Sequence, residues 1–344
     1  MDLYFLNDSF GLTDGPVDGF TSVVWSERYF ETGTFTLHFP RAMYARLADA
    51  AFVRTAESDG QILCGRIDYR GIGEDGDCEL SGRLLEAILD ERLLVGRGTA
   101  SGTVTDCVRT VLTDALGDDI VLGEPLLSIP DEVTLSYDWE SVSDWLRRVL
   151  RPYGASFRLR LEEVDNTLVP VLRLIRGLDR TVGNEGGADP AVFSAAFGNL
   201  AAIEVERSTA KCANAVYVEG GDGTVVLVDH AGDGIRRETH KKSALSPDDF
   251  DSQADYEAAL ARIGEEELAA IPDGLSVTAE CLATALPLYG RDYALGDVCD
   301  VFDDGVGISL PMRLTEADTV WENGAVEVFP TFGERASRGG RTTV

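Results

Sequence analysis

The sequence predicts a β-rich α+β protein in which two small β-barrel domains are separated by an α+β insert domain. Three observations carry that expectation. Residues 1–80 and 191–333 contain runs that alternate apolar and polar positions, the mark of half-buried strands. Residues 81–190 instead carry apolar stripes at helical spacing. The 344 residues, at roughly 150 per domain, allow two or three such units.

Within 1–80, Thr34–Phe39 alternates strictly and places Phe35, Leu37 and Phe39 on one face. The preceding run, 21–30, is rich in Val and aromatic residues, and Glu31, Thr32 and Gly33 read as the hairpin turn between the two. Pro40 opens a short helix over 41–47. Strands at 62–69 and 77–80 follow, separated by the turn-forming residues 71–76. Several strands with one short helix point to a small closed or half-closed barrel.

Residues 81–190 change character. Leu84, Leu85, Ile88 and Leu89 predict a short helix over 83–89. Val104, Cys107, Val108, Val111, Leu112, Ala115 and Leu116 fall on one face of a clearer helix, which Thr103 and Asp106 cap and Gly117 ends. The design repeats with Ser141 and Asp144 as the cap and Val142, Trp145, Leu146, Val149 and Leu150 as the stripe. Pro152 and Gly154 terminate it. Two strands, 156–161 and 168–175, flank a turn at Asp165 and Asn166. Both helical stripes read as core faces. Residues 181–190, with three Gly and one Pro, read as a linker.

The 191–333 region returns to strands at 200–206, 214–219 and 225–228. One inserted helix, about 252–270, interrupts them: Ser252 and Asp255 cap it, Tyr256, Ala259, Leu260 and Ile263 line it, and Pro272 follows it. Strands resume at 276–284, 298–302, 307–315 and 324–329. The Arg- and Gly-rich tail, 334–344, is expected to be flexible.

Charge narrows the function. Sixty acids against thirty Lys and Arg leave a net charge of −30, and the only lysines are Lys211, Lys241 and Lys242. Phosphate binders need clustered cations, so the charge strongly disfavours a dedicated nucleic-acid or anionic-membrane binder. No apolar stretch approaches the ~20 residues of a spanning helix. The first ten residues show neither the basic nor the apolar region of a signal peptide. Six cysteines, at 64, 78, 107, 212, 281 and 299, have no CxxC spacing and read as reduced, buried small hydrophobes.

Catalytic and cofactor chemistry finds little support. His38, His230 and His240 lack zinc-site spacing, and no glycine-rich phosphate loop is present, so no metal and no cofactor are expected. Ser208–Lys211 matches the SxxK nucleophile pattern. It lies between β runs, however, without SDN or KTG partners, so no catalytic residue is assigned. Paired carboxylates arise by chance among sixty acids, which leaves a carboxylate-based cell-wall hydrolase as an alternative without a specific signal.

One segment is distinctive. Tyr289, Gly290, Arg291, Asp292, Tyr293, Ala294, Leu295, Gly296 and Asp297 run directly into the strand at 298–302. Leu295 is placed to anchor the turn, Gly296 to allow it, and Asp297 to bond backbone amides. This segment resembles one found late in tail-hub proteins of siphophages and prophages. Residues 204–207 with 214–218, 234–238, 330–333, and 80–85 followed by Thr103 and Val104 resemble further segments of that family, in order along nearly the whole chain. The sequence is thus similar to the siphophage and prophage tail-hub (baseplate hub, tail-associated) family, and to the T-even myophage hub.

That resemblance implies a division into 1–80 and 191–333 as tail-tube-like barrels and 81–190 as the insert. It implies a non-enzymatic homotrimer with pseudo-hexameric symmetry that continues the tail tube and joins it to the tip or host-recognition apparatus. Expected partners are a distal tail protein, the tail tube or tape-measure protein, and tip or receptor-binding proteins. DNA is expected to pass through without specific binding, with no stable membrane association. The location is the virion tail, assembled in the bacterial cytoplasm. Tyr289, Gly290, Asp292, Tyr293, Leu295, Gly296 and Asp297 carry over as structural residues. Many relatives carry a peptidase or glycan-binding extension. Only twelve residues follow Phe332 here, so none is expected. The hub of a contractile injection or secretion device is the neighbouring alternative.

Overall fold

The computed structural model describes residues 1–335 apart from 57–61, 74–75, 165–166, 210–211, 272–274, 282–285, 306 and 323. The turn at Asp165 and Asn166, Lys211, Pro272 and the tail 336–344 lie outside the described residues.

The frame is a single 14-stranded sheet. Its main path runs Leu200–Arg207, Leu275–Cys281, Ala325–Arg335, Ile308–Glu322, Ser22–Arg28, Thr34–Phe39, Cys78–Leu84, Cys64–Ile72, Phe52–Thr55, Leu3–Leu6 and Leu12–Val17. Val298–Asp303 branches off by pairing with the first half of Ile308–Glu322, and carries Asp179–Arg180 and Val192–Ser194 as parallel partners.

No closed barrel forms among the described residues, and the two β regions share one sheet. The cause is the length of one strand. Sequence reading ends it at 315, where Glu316 and Asp318 enter the pattern, but Ile308–Glu322 continues through both. Glu316 pairs with Arg28 and Glu322 with Ser22 in unbroken register, so the N-terminal and C-terminal β regions share one sheet. Ala317 and Thr319 are buried, while Glu316 and Asp318 alternate onto the opposite, half-buried face, where Glu316 pairs with Arg28 at 3.0 Å.

A second correction concerns 83–89. The strand Cys78–Leu84 extends into that span, with Arg83 opposite Thr34 and Leu84 opposite Gly65, and only Ala87–Asp90 is helical. Long-range pairing overrides the local stripe, while Leu85 and Leu89 still reach the core.

Three helices follow their predicted caps. Val104–Ala115, Val142–Leu150 and Gln253–Ala270 start at Thr103, Ser141 and Ser252. Each cap side chain accepts from the amide three residues on, Asp106, Asp144 and Asp255 respectively. Cys107, Val108, Leu112, Trp145, Leu146 and Val149 pack in one cluster with Phe157, Leu159 and Leu172 of the hairpin Ala155–Val164 and Thr167–Arg176. Fully buried side chains of this size each contribute about 1.5–3 kcal/mol. Trp145 buries its ring and still donates from Nε1 to the Ser136 carbonyl at 3.0 Å.

The glycine-rich 181–190 segment is tied down at both ends. The strands that flank it pair with the same partner, Val298–Asp303. Val182 donates its amide to Asp300 Oδ2 at 2.8 Å, and Asn184 bridges to the Ala188 carbonyl at 2.9 Å.

Candidate functional site at the Tyr289–Asp297 turn

Asp297 lies at the centre of the turn and is 3% exposed. Its Oδ1 accepts from the Leu178 amide at 2.7 Å. Its Oδ2 accepts from Arg180 Nε at 2.6 Å and from the Ala294 amide at 3.0 Å. One carboxylate therefore joins the end of the hairpin Ala155–Arg176 region, the branch strand Asp179–Arg180 and its own turn. A buried carboxylate is tolerable because these donors, one of them cationic, replace its water.

The rest of the segment builds the platform for this contact. Asp292 Oδ2 accepts from the Leu288 amide at 2.8 Å, and Arg291 donates to both its oxygens at 2.9 and 2.8 Å. Those contacts, led by the Arg291 guanidinium, hold the Asp292 carboxyl down at about 2. Gly290 has φ +81°, and its amide donates to the Tyr293 carbonyl at 2.8 Å. Tyr293 is buried and meets Phe193 edge-on at 4.9 Å and Tyr289 at 5.6 Å. Leu295 is half-buried against the same cluster, which also holds Phe332.

The turn then reaches the other two regions. Tyr289 donates its hydroxyl to Glu27 Oε2 on Ser22–Arg28 at 3.1 Å. Burial, reinforced by the Glu27 carboxylate, pushes that hydroxyl well above its ordinary value. Gly296 adopts φ +92° and presses against the Tyr29 ring. Tyr29 is fully buried and donates to the Gly154 carbonyl at 3.0 Å while accepting from the Gly177 amide at 3.2 Å. Burial raises its pKa, so the hydroxyl keeps the proton it donates. Arg313, also fully buried, donates to the Gly296 carbonyl at 2.7 Å with its guanidinium 5.5 Å from the centre of the Tyr29 ring. Arg158 donates to the Arg28 carbonyl at 2.8 Å, and Ser156 donates to the Tyr29 carbonyl.

The seven motif residues thus form a junction where Ser22–Arg28, Leu178 with the strand Asp179–Arg180, and the turn before Val298–Asp303 meet. Its chemistry is that of a lock: donors and acceptors are matched between segments. Sequence reading identified the turn and its Asp, but not Tyr29, Gly177 or Arg313. A signal for Arg313 existed, since it is a lone cation in the apolar run 308–314. The Asn214 and 234–238 segments also meet: Asn214 Oδ1 accepts from the Arg237 amide at 2.7 Å, and its Nδ2 donates to the Ile235 carbonyl at 3.2 Å.

The remaining candidates are dispersed. Ser208 is exposed beyond Leu200–Arg207 in a segment that is not helical, and Lys211 lies outside the described residues. His230, just after Val225–Asp229, faces Glu265 at 3.1 Å, and His240 on Glu238–Lys242 faces Glu219 at 3.0 Å, while His38 lies on Thr34–Phe39. Among the described residues no cluster of metal-ligating side chains forms. Cys64, Cys78, Cys107 and Cys299 are buried free thiols and Cys212 is half-buried. Burial pushes Cys64 up to about 12. A groove of ≈ 550 Å³ between the Gln253–Ala270 helix and the paired strands Arg97–Thr103 and Glu132–Asp138 is lined by Thr99, Ser101, Glu132, Asp255 and Arg262. No helix among the described residues is long and apolar enough to cross a membrane.

No curated protein matches the chain. Solved structures do. The tail protein from Neisseria meningitidis MC58 is 16% identical with a TM-score of 0.60, over 97% of this chain and 96% of that one. The prophage tail protein gp18 from Listeria monocytogenes EGD-e is 12% identical with a TM-score of 0.56, over 97% and 94%. The 43 kDa tail protein of prophage MuSo2 from Shewanella oneidensis is 13% identical with a TM-score of 0.54, over 95% and 96%. At these identities the likeness shows a shared fold, that of phage and prophage tail proteins. The family model of Siphovirus ReqiPepy6 Gp37-like proteins matches residues 2–334. With that match spanning the junction and both β regions, the chain belongs to the Siphovirus ReqiPepy6 Gp37-like protein family.

Proposed function

We propose that this protein is a non-enzymatic structural hub of a phage or prophage tail. It forms a homotrimer whose six β regions, two per subunit, make a pseudo-hexameric ring that continues the tail tube. In this reading 1–80 and 191–333 supply the tube-like elements and 81–190 is the insert. The open sheets become a continuous wall only when subunits meet. The ring joins the tube, with its distal tail or tape-measure protein, to the tip or receptor-binding proteins, and DNA passes through without specific binding.

The observation that carries this reading is the whole-chain correspondence of fold with three tail proteins, at 94–96% of their own lengths. The shared sheet supports it, because two β regions locked by one long strand behave as one rigid building block. The test is a mass measurement of the purified chain, alone and with its tail-tube neighbour, followed by imaging of any ring. A trimer with three-fold symmetry is expected. A strict monomer at micromolar concentration, still monomeric with the neighbour present, overturns the reading.

A further inference from the structure

A small three-stranded sheet stands apart from the main one, in the order Val225–Asp229, Ala215–Glu219, Glu238–Lys242. Val216, Val218 and Val228 on one face are buried with Tyr256, Leu260 and Ile263 of the Gln253–Ala270 helix. The other face carries Tyr217, Val225 and Leu227, the last two 55% and 39% exposed. Among the described residues no strand pairs with either outer edge.

The two edges have opposite character. The segment 236–242 reads Arg-Arg-Glu-Thr-His-Lys-Lys, and it holds two of the chain's three lysines in a molecule of net charge −30. Ile235, immediately before it, is 88% exposed. The opposite edge runs from Asp222 through Val225, Val226, Leu227 and Val228 to Asp229 with no cation. Its pairing with Ala215–Glu219 is regular over all five residues, without a bulge.

Open edges are normally blunted by lysine, proline or bulges. The edge strand Leu12–Val17 follows that rule, with Pro16 and two register shifts. Lys241 and Lys242 give the Glu238–Lys242 edge a positive charge that bars pairing with a like edge. Nothing blunts Val225–Asp229, which is flat, apolar and exposed. An edge of that kind is a template for strand addition.

We propose that the Glu238–Lys242 edge of one copy adds to the Val225–Asp229 edge of the next, head to tail, so that three such sheets join around the three-fold axis. The inference rests on the trimer reading and names the surface that closes the ring. Charge selects the occupant. A basic edge on an acidic molecule is complementary to a second copy of the same molecule. A head-to-tail contact repeated by rotation closes a ring. Polyphosphate is the weaker match, because most of these cations already have carboxylate partners. Arg236 pairs with Asp229 at 3.0 Å, Lys241 with Glu267 at 2.8 Å and His240 with Glu219 at 3.0 Å. Exposed Arg237, and Lys242, which reaches Glu219 only at 3.8 Å with its side chain 75% exposed, are placed to meet carboxylates of a neighbour.

The test uses the full chain and native mass or sedimentation at low and high salt. One variant, Arg237→Glu with Lys242→Glu, disables the basic edge. A second, Val225→Lys with Leu227→Lys, disables the apolar edge. Circular dichroism and thermal melting confirm that both fold. Each variant alone is expected to lose the trimer, with a dissociation constant raised about tenfold or more, a change of about 1.4 kcal/mol. Mixed together they retain one good edge of each kind, enough for a single contact, and are expected to stop at a 1:1 heterodimer. Wild type weakens as salt rises. If wild type is a trimer and both variants remain trimers, this surface is wrong while the hub reading stands. If wild type is a monomer under every condition, both fail. Retarded duplex DNA whose binding is lost in Arg237→Glu with Lys242→Glu, with the oligomer unchanged, assigns the basic edge to phosphate and overturns the inference.

Discussion

Gly177 and Gly296 meet backbone to backbone: a Cβ on Gly177 would lie 1.9 Å from the Gly296 carbonyl oxygen. A Cβ on Gly296 would in turn lie 2.1 Å from the Tyr29 ring, at a φ of +92°. Neither neighbour is the free end of a flexible chain, so the junction must open to admit a methyl group. Gly177→Ala and Gly296→Ala are each expected to destabilise by about 2–4 kcal/mol in urea denaturation. Gly19→Ala, with open space around its Cβ, is the control and is expected to stay within about 0.5 kcal/mol.

Asp297 is the electrostatic part of the same lock. Asp297→Ala leaves Arg180 and two amides without their acceptor and is expected to cost about 3–5 kcal/mol. Asp297→Asn retains one acceptor oxygen and is expected to cost less. Equal losses in the two variants would show that shape, not charge, holds the junction.

Acid should weaken the fold in a defined window. Glu91 is held at about 2 by Arg66 and then Arg83, Asp222 at about 2 by the Tyr256 hydroxyl and then Thr224, and Asp292 at about 2 by Arg291 and then the Leu288 amide. Each folded value lies below the unfolded one of about 4. The unfolded chain therefore binds protons first, and stability falls as pH drops from about 4 through 2. Melting temperature measured across that range should fall, and Asp292→Asn should remove part of the slope. A flat profile contradicts the assigned contacts.

Ser208→Ala and Lys211→Ala are expected to leave assembly and infection unchanged. The SxxK pattern requires its Ser at the start of a helix, and Ser208 stands exposed in a non-helical segment. Loss of activity in folded Ser208→Ala would restore acyl transfer as a reading.

In the proposed trimer, the channel wall is expected to be more negative per unit area than the outer wall, drawing on the sixty acids. Fixed negative charge keeps passing DNA from making counterion-releasing contacts. Acid-to-Lys reversals on that wall should slow DNA ejection, and more so at low salt. A neutral or basic channel, or reversals without effect, rules this out.

The parts legible in the sequence were those governed by local chemistry. Thr103, Ser141 and Ser252 each cap a helix that begins where the stripe begins, because cap and stripe lie within a few residues. The Asp297 contact to its own turn was legible for the same reason. Its bonds to Leu178 and Arg180, about 120 residues away, were not. The single sheet was hidden because Glu316 and Asp318 look like the end of a strand until Ser22–Arg28 is placed beside them. Several short strands, such as Leu3–Leu6, Phe52–Thr55 and Glu238–Lys242, also lacked a readable pattern. Four or five residues give too few alternations to separate from chance.

The strand Ile308–Glu322 has a mechanical meaning. One of its edges is hydrogen-bonded to Val298–Asp303 along the first half and to Ser22–Arg28 along the second, while Ala325–Arg335 pairs along the other edge. Tension applied along its axis is carried in shear, with the whole ladder from Glu316 opposite Arg28 to Glu322 opposite Ser22 loaded at once. Tension applied across it peels the same ladder one pair at a time, starting at Ser22. The coupling between the two β regions is therefore stiff in one direction and weak in the other.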